Sequence, residues 1–268
     1  MNFATPVTEA DLVGLPTAAQ RYLRAMGVIG RPRVWSFRAR YTGRFRLRLG
    51  GRWMPMRAWQ YNSALPPARL VRMRLRLAGV LPMTGWDTYL NGRGQMRGKL
   101  LGLVPVVSGT GPEFDVSDLV TWLNDAVLFA PSMLLNSATT WTAASTDNTF
   151  DVAVTDAGHR VQARVVLDTD GRPRSFSTTD RWAALPGGLV RARWMTPVTG
   201  WQVCDGRPLP TGGNAVWQLP EGPFHYAHID ITADGIDYNI APSDAGFKRK
   251  MSNVCMATAW RPQNHEVA

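Results

Sequence analysis

Residues 35–49 alternate so regularly that they leave the backbone little choice. The odd positions read Trp35, Phe37, Ala39, Tyr41, Gly43, Phe45, Leu47 and Leu49, and the even ones Ser36, Arg38, Arg40, Thr42, Arg44, Arg46 and Arg48. A period of two sends successive side chains to opposite faces of an extended chain. The segment therefore reads as one long strand, or two meeting near Gly43, with one apolar face and one arginine face. Trp35, Phe37, Tyr41, Phe45 and Leu47 are expected inside, and Arg38, Arg40, Arg44, Arg46 and Arg48 outside.

The same grammar continues. Gly50-Gly51 forms a turn before a return strand at 52–61. A third alternating segment sets Val71, Met73, Leu75 and Leu77 against Arg72, Arg74 and Arg76, and Gly92-Arg93-Gly94 joins two more strands as a hairpin. Further strands are expected at 141–144, 149–155, 160–168, 174–181, 190–195, 200–204, 215–219, 225–232 and 235–240. No strand-helix-strand rhythm runs through them, which argues against a doubly wound sheet.

Two helices interrupt the strands. Thr8 caps the first, with Asp11 three residues on; Leu12, Leu15, Ala19, Tyr22, Leu23 and Met26 follow at helical spacing, and Gly27 ends it. Pro16 in its middle implies two short pieces or a kink. Ser117-Asp118 opens the second helix, whose apolar side carries Leu119, Val120, Leu123 and Val127, and Pro131 stops it. The expected fold is mainly β, a curled antiparallel sheet or half-open barrel with an N-terminal helix and one helix packed at its mouth. Residues 1–242 are taken as one domain, and the unpatterned 243–268 as a flexible tail.

Composition narrows the function classes. Of 268 residues 45% are hydrophobic and eleven are tryptophan, enough for a substantial core. No apolar run reaches the roughly 18–20 residues that span a bilayer. Met1-Asn2-Phe3-Ala4-Thr5-Pro6 lacks the basic and apolar regions of a signal peptide, so a cytoplasmic location is expected. Cys204 and Cys255 belong to no Cys-x-x-Cys, which disfavours a disulfide framework or a zinc site. The net charge of +10 comes almost wholly from arginine, the only lysines being Lys99, Lys248 and Lys250. Such a balance can attract nucleic acid, an anionic membrane surface or an acidic partner. Nucleic acid is set aside, because alternation puts aromatics and arginines on opposite faces; peripheral contact with an anionic membrane stays compatible.

Familiar catalytic signatures are missing. The phosphate-binding loops, Gly-x-Ser-x-Gly and His-Glu-x-x-His do not occur. His225 and His228 are three apart on an expected strand and point to opposite faces, which does not suit a shared metal. Asp168-Thr169-Asp170-Gly171 starts like a calcium loop but lacks its distal glutamate, and is read as a turn. Neither a metal nor a cofactor is expected.

Four acids in mid-chain could carry proton chemistry if an apolar pocket raised their pKa: Asp87, Glu113, Asp118 and Asp125. Asp118 fits a helix start better, while Asp87 and Glu113 could simply partner surplus arginines. Asp125, within the second helix, is the acid of most interest. Arg181 could bind an anion or close an ordinary ion pair. Tyr61, Trp86, Trp122 and Trp141 are the aromatics expected to line a ligand cavity at the mouth of the curled sheet.

Several stretches resemble an uncharacterised bacterial family of unknown function. They are Leu15-Pro16 with Arg21-Tyr22-Leu23, Trp53-Met54-Pro55 with Gln60-Tyr61, and Gly92-Arg93-Gly94-Gln95-Met96 with Lys99-Leu100-Leu101-Gly102-Leu103. Gly111-Pro112-Glu113, Pro131-Ser132-Met133-Leu134-Leu135, Trp141, Asp205-Gly206-Arg207-Pro208-Leu209-Pro210 and Trp217 with Gly222-Pro223-Phe224-His225-Tyr226 complete the pattern. The match covers about residues 15–240. It implies a half-open antiparallel barrel similar to the lipoprotein-carrier (LolA/LolB) type, and a fold more than an activity. Where the family pattern has Leu-x-Glu, this chain has Leu123-Asn124-Asp125, and the shorter acid bears on any catalytic role implied there. The N-terminal membrane anchor common among members is not seen in these residues.

Two functions follow. One is the binding of a hydrophobic or amphipathic small molecule in the cavity of an open barrel. The alternative is a cofactor-independent isomerase, cyclase or dehydratase using Asp125, Glu113 or Asp87 as general acid or base in the same cavity. The second requires a desolvated acid there without a neutralising arginine.

Overall fold

Alternation becomes strand over most of the chain in the computed structural model, which describes residues 5–242. The expected tail at 243–268, with Cys255, lies outside the described residues. A 3-10 turn at Glu9–Leu12 and helix α1, Thr17–Ala25, flank Pro16, so the first helical segment is indeed two pieces. Strands β1 (Ser36–Phe45), β2 (Met54–Ala64), β3 (Pro67–Leu77), β4 (Leu81–Leu90), β5 (Arg93–Leu100) and β6 (Val104–Thr110) form one antiparallel meander. Helix α2, Pro112–Phe129, follows it. A second run contains β7 (Thr139–Ala143), β8 (Thr149–Asp156), β9 (His159–Leu167) and β10 (Pro173–Thr178). A separate small hairpin, β11 (Trp182–Leu185) with β12 (Gly188–Arg191), precedes β13 (Arg193–Cys204), β14 (Arg207–Leu219) and β15 (Gly222–Asp230). The short β16 (Ile236–Tyr238) pairs with β1.

The sheet order is β6-β5-β4-β3-β2-β1-β15-β14-β13-β10-β9-β8-β7, and each strand pairing along it is antiparallel. One seam joins the two runs, where Thr42 to Phe45 face Asp230 to Ala227. Edges β6 and β7 are not paired with each other, so the sheet curls without closing. Gly43 serves this seam: a Cβ there would lie 2.0 Å from the His228 carbonyl oxygen, so only glycine lets the strands approach.

Helix α2 lies in the concavity, and its buried residues run from Asp115 to Leu128 with few gaps. Two glycines of the far meander make room for it. A Cβ on Gly94 would meet the Phe114 carbonyl oxygen at 2.1 Å, and one on Gly109 the Phe114 ring at the same distance. Gly94 is therefore a strand residue beneath a helix rather than part of the turn expected at 92–94. Asp115 ties the two elements, its Oδ1 accepting from the Gly94 N–H at 2.7 Å.

The sequence reading needs two further corrections here. The second helix starts at Pro112, with Gly111 as its cap, not at Ser117-Asp118; Asp118 is thus in the second turn and fully packed. Leu47, expected inside, is 49% exposed because β1 ends at Phe45. Strands β6 and β11 were not expected, and the strand expected at 190–195 is divided between β12 and β13.

Candidate functional site

Helix α2 does not cover the whole concave face. Between it and strands β1–β5 and β13–β15 lie two adjoining chambers of about 150 and 350 Å³. Phe45, Met73, Met96, Arg181 and Tyr226 line both, so these residues form the partition. Met56 adds to the smaller chamber, and Met83 and Leu75 to the larger. Methionine is unbranched and polarizable and packs against irregular shapes at little cost.

The inner wall of the smaller chamber is polar, and strand parity places it there. Val71, Met73 and Leu75 face inward from β3, so Arg69, on the same odd register, faces inward too; it is 6% exposed. From β4 the odd residue Asp87 arrives, and from β2 the even residues Gln60 and Asn62. Along α2, Asp118, Thr121 and Asp125 are spaced three and four apart, one stripe of a helix.

These groups satisfy one another closely. Arg69 donates from Nε to Asp125 Oδ2 at 2.7 Å and from a terminal nitrogen to Asp87 Oδ2 at 2.6 Å. Asp125 Oδ2 also accepts from Gln60 at 2.7 Å and Asn62 at 3.2 Å, and Gln60 Oε1 accepts from the Tyr41 hydroxyl at 3.1 Å. Burial opposes the Arg69 charge, but the Asp87 and Asp125 carboxylates outweigh it and hold the guanidinium protonated. Burial also pushes the Asp125 carboxyl above its ordinary value, against the pull of Arg69. The Asp118 carboxyl is pushed well above its ordinary value, first by burial and then by the charge of Asp87, against the pull of Arg69 and Arg181.

Arg181 is held differently. It is 8% exposed, and its guanidinium lies 4.1 Å from the Trp194 ring centre and 5.4 Å from that of Trp217. One terminal nitrogen donates to the Tyr226 hydroxyl at 3.0 Å, while Nε has no partner. The Tyr226 oxygen accepts a second bond from the Trp194 indole at 2.9 Å.

The structure thus brings together Asp87, Asp125 and Arg181 from the expected residues, and leaves the others apart. Glu113 is half-buried on the wall of the larger chamber. Trp86 is partly exposed on the outer face beside its register partners Arg72 and Arg97, opposite to Asp87. Tyr61 is buried on that outer face, with its hydroxyl bonded to the Ile240 carbonyl at 3.3 Å. Trp122 is a core residue whose indole donates to the Ser63 carbonyl at 2.8 Å. Trp141 packs on Tyr22 and Phe150 under α1. None of these four lines either chamber. Sequence reasoning did not single out Arg69, Gln60, Asn62, Trp194 or Tyr226, and it assigned Asp118 to a helix cap. Among the described residues no group of His, Cys, Asp and Glu is placed to hold a metal ion.

Comparison with known proteins gives a family and several distant structures. A model described as a family of unknown function, DUF6544, matches residues 5–229. No curated protein matches the chain. Solved structures similar to it include a putative outer membrane lipoprotein-sorting protein domain from Vibrio parahaemolyticus, with 11% identity and a TM-score of 0.46. That match covers 85% of this chain and 94% of the other. A DUF1329 family protein from Desulfovibrio piger has 12% identity and a TM-score of 0.45, covering 91% and 98%. A LolA superfamily protein from Nitrosomonas europaea has 12% identity and a TM-score of 0.42, covering 84% and 95%. The cytoplasmic expectation is corrected by these names, since an outer membrane lipoprotein-sorting domain and a LolA relative point away from the cytoplasm. It had rested on the character of six N-terminal residues, which do not determine where a chain resides.

Proposed function

We propose that this chain, which belongs to the DUF6544 family of unknown function, binds a hydrophobic or amphipathic small molecule in the two chambers of its concave face. The observation that carries this reading is a pair of adjoining chambers walled by Met56, Met73, Met83, Met96 and Phe45. Empty apolar volume forfeits dispersion contacts and costs stability, so a chain that keeps it has a use for it. Adaptable methionines on most sides suit an alkyl chain better than a rigid, shaped ligand.

The same geometry weighs against the catalytic alternative. Asp87 and Asp125 are desolvated, but Arg69 neutralises both, and Glu113 is only half-buried. None of the three meets the requirement of a desolvated, unneutralised acid. The cluster reads as a polar wall that fixes α2 against β2–β4, with Asp87 Oδ1 and Asp118 Oδ2 unpartnered among the described residues.

Displacement of an uncharged apolar fluorophore, N-phenyl-1-naphthylamine, by decanol tests the reading. Saturable probe binding that decanol competes away is the expected outcome. Failure of both molecules to bind the folded protein would remove the proposal.

A further inference from the structure

Arg181 and Tyr226 present hydrogen-bond donors to the chambers and have no acceptor for them. The Tyr226 oxygen already accepts from Arg181 and from the Trp194 indole, so both its lone pairs are in use. Its own proton has no partner among the described residues. Arg181 uses one terminal nitrogen on this neutral oxygen and, among the described residues, forms no salt bridge and leaves Nε unpaired. Its guanidinium lies beside both the Trp194 and the Trp217 ring. Both residues line both chambers, at the point where the two apolar spaces meet.

A buried cation without an ion pair is costly, and an unpaired buried donor adds to that cost. The nearby acids do not relieve it. Asp87 and Asp125 are engaged by Arg69, and Asp118 forms no ion pair with Arg181 among the described residues. Two convergent donors, one charged and one neutral, with no acceptor between them, make a receptor for an oxyanion.

From this arrangement we infer that the ligand is an amphiphile with a single carboxylate head, bound by Arg181 and Tyr226 at the partition, with its alkyl tail among the methionines. The inference rests on the apolar-binding reading above and names the chemical class of its ligand. One guanidinium edge and one phenol suit a monoanion. A phosphate monoester would bring a second charge and a third oxygen toward a wall that already holds three carboxyl groups.

The test compares decanoate, decanol and decyl phosphate on the full chain at pH 7.4, followed by quenching of tryptophan fluorescence, since Trp194 and Trp217 flank Arg181. Decanoate is expected to bind about tenfold or more tightly than decanol, the scale of one charge-assisted hydrogen bond. Arg181→Gln should abolish that preference. Tyr226→Phe, which keeps the ring packing, should weaken decanoate severalfold and carries the test if the arginine variant does not fold. Equal affinity of decanoate and decanol on the wild type overturns the inference and leaves the apolar-binding reading intact. A preference that survives Arg181→Gln overturns it as well, and tighter binding of decyl phosphate overturns the carboxylate assignment. If decanol itself does not bind, the underlying reading fails.

Discussion

The two runs of strands that share this sheet use the same alternation for opposite ends. In β8 and β9, Phe150, Val152, Val154, Val161 and Val165 are at most 1% exposed, packed on Tyr22, Trp141 and the apolar side of α2. In β2–β5 the inward residues are mostly methionines, glycines and polar groups, with Val71 and Leu75 among them, and many of them border the chambers. Branched and aromatic side chains have few rotamers and fill a fixed shape; methionines have many and accommodate a variable one. The difference teaches that alternation alone specifies which residues face inward, and residue type specifies whether the inside is solid or available. Charge follows the same division: from Ser36 to Thr110 the sequence holds a single acid, Asp87, among many arginines.

The largest expected contrast comes from truncating one inward residue in each run. Phe150→Ala should cost about 3–5 kcal/mol, because its ring is enclosed and the site cannot collapse. Met73→Ala should cost only about 1 kcal/mol, since Met73 already borders empty space on two sides. Denaturant unfolding of the two variants measures this directly, and equal losses would erase the distinction between the runs.

A smaller effect lies in the pH dependence of the polar wall. Burial and the neighbouring Asp87 hold the Asp118 carboxyl well above its ordinary value of 3.8. A group raised in the folded state contributes stability that is present below its unfolded pKa and lost as pH rises through its folded pKa. Asp118→Asn removes that loss while keeping the side-chain shape. The variant should therefore melt a few degrees above wild type at pH 8 and show no advantage at pH 4. A variant less stable than wild type at pH 8 would show that Asp118 is ionised in the fold.

Much of the polar wall was legible in the sequence by parity alone. Arg69 shares the odd register of Val71, Met73 and Leu75, the only arginine of β3 to do so, and Gln60 and Asn62 share the even register of Met54 and Met56. The same rule shows why Trp86 and Asp87 could not both face one cavity. Adjacent strand residues point to opposite sides. Asp118 was misread because Pro112 at the first turn of α2 escaped notice as a helix start, although proline favours that position. Tyr226 and Trp194 were beyond local reasoning. They meet Arg181 through the strand order β15-β14-β13-β10, which sets Trp194 opposite Thr178 and carries Tyr226 in from two strands away. Such non-local pairing leaves no mark in the spacing of neighbouring residues. Trp141 and Trp122 illustrate the converse, since tryptophan supplies a solid core as readily as a cavity wall.

The account stands on the chambers being ligand space rather than packing defects. Met73 lines both, so Met73→Trp fills volume in each. Titration of this variant with decanol, followed by displacement of N-phenyl-1-naphthylamine, is the most direct test. The account predicts that affinity falls tenfold or more while the melting temperature holds or rises. Decanol affinity equal to wild type in a folded Met73→Trp protein would place the ligand elsewhere and contradict it.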